Sequence, residues 1–111
     1  MPESTPQPFS IEIEDQGAIV LVRCQGKLTA GHADQLYGPV SALLPQHQYV
    51  ILDLAHLTQM DSMGLGALVR IYVHAKTRGT TVELRNLSPR IRDLLILTNL
   101  LPAFALTGER K

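Results

Sequence analysis

The sequence predicts one small α/β domain with a mixed sheet of four to five strands. An antiparallel hairpin opens it, parallel crossovers follow, and helices pack against the sheet. Three observations predict this. The chain starts with two strand-like stretches around a short turn, and from there helical periodicity alternates with short apolar runs. Its 111 residues are the length of a single domain. Hydrophobic residues make up 45% of it, which supplies one core and is too many for a disordered chain.

The first eight residues, Met1-Pro2-Glu3-Ser4-Thr5-Pro6-Gln7-Pro8, carry three prolines and read as a disordered leader (1–8) before the domain (9–107), with 108–111 as a tail. Phe9, Ile11 and Ile13 alternate with Ser10, Glu12 and Glu14, a half-buried strand. Asp15-Gln16-Gly17 supplies turn chemistry, and Ala18 to Gln25 is a second strand, ended by Gly26. So short a connection requires antiparallel pairing.

From about His32 to Leu44, the residues Ala33, Leu36, Val40, Leu43 and Leu44 share one helical face. Pro39 lies inside this stretch and should kink the helix, or delay its regular part to about Gly38; Pro45 should stop it. Tyr49 to Leu54 is a continuous apolar run, expected as a central strand. A helix from Ser62 to about Arg78 follows, with Leu65, Leu68, Val69, Tyr72, Val73 and Lys76 on one face, Arg70, His74 and Thr77 on the other, and Gly79 at its end. Thr81 to Arg85 alternates as a short strand. Ser88-Pro89 caps and opens a helix carrying Ile91, Leu94, Leu95 and Thr98, and Leu100 to Leu106 is apolar enough to pack as a strand or turn.

Composition excludes several classes of function. Ten basic and ten acidic side chains cancel, so no long-range field draws the domain to nucleic acid or anionic lipid. Two Phe, three Tyr and no Trp do not build a base-stacking platform. No apolar run reaches the length of a membrane span and the N-terminus lacks the regions of a signal peptide, so a cytoplasmic protein without membrane insertion is expected. Cys24, the single cysteine, sits in a strand and reads as a packed small side chain.

No active site emerges. Asp53 ends an apolar strand, but no G-x-x-x-x-G-K-[ST] loop accompanies it, and a receiver-type acidic pair is absent where Gln25-Gly26-Lys27-Leu28 stands; it reads as a turn or hydrogen-bonding residue. His32, His47, His56 and His74 lack metal-ligand spacing and read as solvated, so no metal or cofactor is expected. Ser62 has no G-x-S-x-G elbow around it.

Asp61-Ser62-Met63-Gly64-Leu65-Gly66 carries most of the information. Ser62 stands at the positive end of a helix, where a hydroxyl either caps the unpaired N–H groups or serves as a phosphorylation site. Capping, by Asp61 or Ser62, does not account for Gly64 and Gly66, each of which costs the helix roughly 0.8–1 kcal/mol relative to alanine. The pair favours a bare surface on which another protein docks, although close packing on the sheet would also ask for glycine.

These residues closely resemble the STAS domain, the fold of bacterial anti-sigma factor antagonists, from about Phe9 to Leu106. Gly26-Lys27-Leu28-Thr29 matches its G-x-L-[DT] turn and Val50-Ile51-Leu52-Asp53-Leu54 its central strand. Asp61 to Leu68 matches its D-[ST]-[ST]-G-x-G segment, and Leu97-Thr98-Asn99-Leu100 its T-G-L. The chain departs from the pattern at Met63, Thr29 and Asn99. The resemblance implies a binding protein, not an enzyme. It implies an anti-sigma factor that is also a serine kinase as partner, released from its sigma factor by binding, with phosphorylation at Ser62 switching binding off and a PP2C-type phosphatase restoring it. The implied contact face comprises Lys27, Thr29, Met60, Asp61, Ser62, Met63, Gly64 and Leu65, on a monomer or weak dimer. The alternative is a constitutive subunit of a stressosome-like or lipid- or anion-transport assembly, with Ser62 only a helix cap. The switch requires the hydroxyl at position 62 to protrude from the start of its helix, and the segment before it not to continue as strand.

Overall fold

A computed structural model describes residues 9–100 and 105–107. The leader 1–8 and tail 108–111 expected from the sequence lie outside the described residues. Five strands form one sheet in the order β1 (Phe9–Gln16), β2 (Ile19–Leu28), β3 (Tyr49–Met60), β4 (Thr81–Arg85) and β5 (Ala105–Thr107). The first pair is antiparallel and all later pairs are parallel. Helices α1 (Ala33–Leu43), α2 (Ser62–Arg78) and α3 (Pro89–Leu97) supply the crossovers.

The hairpin turns on Gly17, whose positive φ of 88° and N–H bond to Asp15 Oδ1 close a two-residue connection. Period-2 alternation then sends Phe9, Val20, Val22, Cys24, Val50, Leu52, Leu54, Val82 and Leu84 into one core, where Leu36, Val40, Leu68, Ile71 and Leu95 meet them from the helices.

Several expectations needed correction. Gly26 does not end β2: its φ of 94° absorbs a register shift against β3, and the strand resumes to Leu28. The first helix starts at Ala33, not near Gly38, with Pro39 inside it. Pro39 is exposed while Leu36 and Val40 are fully buried, so anchoring on the core outweighs one missing backbone bond. On α2 the buried stripe is Leu65, Leu68, Ile71 and Ala75; Val73 and Lys76 point outward, and His74 is half-buried, its Nδ1 3.5 Å from the Tyr37 hydroxyl. β4 does not alternate cleanly either. Glu83 is buried because β4 is an interior strand and Tyr49 donates its hydroxyl to the carboxylate.

The largest difference lies in β3. It does not stop at Leu54 but runs to Met60, pairing alone with the far end of β2 (Gln25 with His56, Leu28 with Met60). β4 pairs only with its first five residues, Tyr49 to Asp53, so the later stretch lacks the two-sided pairing that writes a continuous apolar run.

Candidate functional site

The two-stranded arm of β2 and β3 delivers Leu28 and Met60 side by side, and Asp61 turns the chain from strand into helix. Asp61 is extended (φ −108°, ψ −172°) and its Oδ1 accepts from the N–H groups of Met63 and Gly64, both at 3.0 Å. Its other oxygen accepts from Ala30 N–H at 3.1 Å, tying the β2–α1 loop to the helix start. Those bonds, the one from Gly64 foremost, hold the Asp61 carboxyl below the usual aspartate range, favouring the anion. A carboxylate at this helix end also meets the positive end of the dipole. Nothing in the spacing pointed to Ala30, whose role depends on a backbone group 31 residues away.

Asp61 is therefore the cap, and Ser62 is not. Ser62 is exposed in the first turn of α2, and its hydroxyl has no hydrogen-bond partner among the described residues. One requirement of the switch is met. The other, that the preceding segment not continue as strand, fails as stated, because β3 reaches Met60. The hydroxyl protrudes all the same, because the single residue Asp61 suffices to reverse the chain.

The two glycines part company. A Cβ on Gly64 would meet the Leu28 carbonyl oxygen at 2.1 Å and Leu28 Cγ at 2.9 Å, so this glycine serves packing of α2 on β2. A Cβ on Gly66 would meet nothing within 4 Å among the described residues. Gly64 and Leu65 are buried, and neither offers a side chain to a partner. Of the eight residues expected at the contact face, six remain at the surface: Lys27, Ser62 and Met63 exposed, with Thr29, Met60 and Asp61 half-buried. Thr29 Oγ1 lies 3.4 Å from His32 Nδ1, within the loop that Asp61 holds.

The residues set aside at the sequence level fall mostly as expected. Asp53 accepts from Ala55 N–H and the Asn86 side chain, a hydrogen-bonding role. Cys24 is buried, and burial pushes its thiol up to about 12. His47 is a correction: it is buried, not solvated. Its Nδ1 lies 2.8 Å from the Leu43 carbonyl and its Nε2 3.2 Å from Asp15 Oδ1, at the end of the sheet away from Ser62. Among the described residues no cluster of His, Cys, Asp or Glu could hold a metal ion, and no helix is long and apolar enough to cross a membrane.

Comparison with known proteins identifies the family and the fold. The family model of the STAS domain matches residues 10–109. The anti-sigma F factor antagonist of Paenibacillus polymyxa is 26% identical over 94 residues, covering 83% of this chain and 80% of that one. An anti-sigma factor antagonist from Mycobacterium paratuberculosis superposes with a TM-score of 0.80 at 22% identity, over 95% of this chain and 90% of that chain. A sulfate transporter family protein from Wolinella succinogenes superposes with a TM-score of 0.73 at 21% identity, over 83% and 78%. At those identities the two structures establish the fold alone.

Proposed function

The chain belongs to the STAS domain family, and within it we propose that this protein is a phosphorylatable anti-sigma factor antagonist working in the cytoplasm. It binds a serine-kinase anti-sigma factor through the end of the sheet around Ser62 and thereby frees a sigma factor. The kinase transfers the γ-phosphoryl of ATP to the Ser62 hydroxyl, ADP leaves, and binding is lost; a PP2C-type phosphatase hydrolyses the ester. The domain acts by binding and carries out no reaction of its own.

One observation carries this reading: the exposed Ser62 hydroxyl has no hydrogen bond among the described residues, because its neighbour occupies the cap position. The reading in which Ser62 serves only as a cap loses its basis there. Asp61 also decides what a phosphoryl group would do. It already holds the N–H groups of Met63 and Gly64, so a phosphate on Ser62 would find neither of them free and would stand out from the surface. It would bring roughly −1.5 to −2 charge beside an ionised aspartate, in the middle of the contact face. The fold would survive and the docked partner would not. The relative from Paenibacillus polymyxa, by its description an antagonist of an anti-sigma F factor, supports the same class of partner.

The test is affinity for the kinase-type anti-sigma factor of the same genome, measured by calorimetry. Ser62→Ala should bind within about threefold of the unmodified chain, and Ser62→Asp at least about tenfold more weakly, a loss of about 1.4 kcal/mol. Intact mass after incubation with kinase and ATP should rise by one phosphoryl group, and not at all for Ser62→Ala. Equal affinities of the two variants would remove the proposal.

A further inference from the structure

Beside the Ser62 face lies an apolar cavity of about 210 Å³ between the end of β3 and α3, with Met60, Ile91, Leu94 and Leu97 as walls and Arg90 and Asp93 at the rim. We infer that it is an anchor socket taking one large apolar side chain, flanked by a carboxylate, from the anti-sigma factor; this rests on the function proposed above.

Four observations support the assignment. The cavity is smaller than the roughly 300–1,000 Å³ of small-molecule sites and fits a single side chain. It is continuous with the contact face, because Met60 both lines it and immediately precedes the Asp61 cap. Its apolar wall is left open where a helix end would ordinarily be polar: Leu97, in the last turn of α3, is 81% exposed. Arg90 and Asp93 have no ion-pair or hydrogen-bond partner among the described residues, although they stand three apart on one helix. An unengaged guanidinium at the mouth of an apolar socket suits a partner residue pair of one large apolar and one acidic side chain. Such a socket would supply affinity that does not depend on Ser62, while Ser62 supplies the switch.

The experiment is calorimetry of the full chain against the same kinase-type anti-sigma factor, with Leu97→Glu, Arg90→Glu and, as a control at the far end of the sheet, Ile19→Lys. Leu97→Glu should weaken binding at least about tenfold with an unchanged melting temperature, because the side chain makes little of the core. Arg90→Glu should weaken it by about threefold or more and slow association at low salt. Ile19→Lys should bind like the unmodified chain. If Leu97→Glu and Arg90→Glu both bind within about twofold of it while Ser62→Asp does not, the socket is overturned and the switch stands. If the unmodified chain fails to bind the kinase, both fall. Met60 and Leu97 methyl resonances that move on dilution of the free chain would show a second copy seated there, which also overturns the assignment.

Discussion

Replacing Gly64 by alanine tests the packing on which the position of Ser62 depends. The new Cβ would lie 2.1 Å from the Leu28 carbonyl oxygen, whereas real Cβ contacts essentially never fall under 3.0 Å. The first turn of α2 must then withdraw from β2 by roughly 1 Å, since the obstacle is backbone and cannot swing aside. Leu28 O also accepts the Asp61 N–H at 3.4 Å, so the same displacement strains the turn that sets the cap. Overpacking of this kind costs about 3 kcal/mol, and the gain in helix propensity returns about 1 kcal/mol, leaving a net loss of about 2 kcal/mol. For a domain of this size that is a fall of roughly 8 °C in melting temperature. Gly66→Ala is the matched control: with open space at its Cβ it should raise stability by about 0.8–1 kcal/mol, or roughly 4 °C. Thermal melts followed by circular dichroism, with urea titration as a check, read both. A Gly64→Ala domain as stable as its parent, or a Gly66→Ala domain that is destabilised, would refute the division of labour between the two glycines. Gly66→Ala has a second use: stability that rises while kinase affinity falls would mean the glycine is kept for the partner.

Two further outcomes follow from buried groups. His47 sits between two acceptors, so only the imidazolium satisfies both; the Leu43 carbonyl bond, with Asp15 adding to it against the effect of burial, raises its value above 6.5. The stability this contributes is complete below pH 6.5 and is lost as pH rises through the higher folded value, so the melting temperature should drop across that interval. His47→Leu should flatten the drop, and a variant with the parental pH profile would show that the histidine is not its source. For Cys24, the buried thiol held near 12 should resist a disulfide reagent such as dithionitrobenzoate at neutral pH until urea unfolds the domain. Prompt labelling of the native chain would contradict its burial.

Much of the fold was legible in the residues themselves. Alternation in Ser10 to Glu14, the run Tyr49 to Leu54 and the helical spacing after Ser62 each state a local preference that packing reinforces. Gly17 and Gly79 mark the hairpin turn and the C-terminus of α2 because both sites need positive φ. What was misread lay where the environment is set by distant chain. The arm of β3 from Ala55 to Met60 is a strand because β2 pairs with it, and Thr58 bonds the Gly26 carbonyl there. His47 looks solvated in sequence and is buried because the hairpin turn brings Asp15 against it.

The sequence by itself determined the order and kind of elements and the placing of an acid and a serine side by side at the start of α2, since each depends on neighbours within a few positions. Tertiary structure alone decided that Asp61 also ties the Ala30 loop to the helix start, which glycine is pressed against β2, and that a hollow opens between Met60 and α3. Those outcomes turn on ångström-scale distances between residues 30 or more positions apart, and such distances exist only once the sheet has brought the strands together.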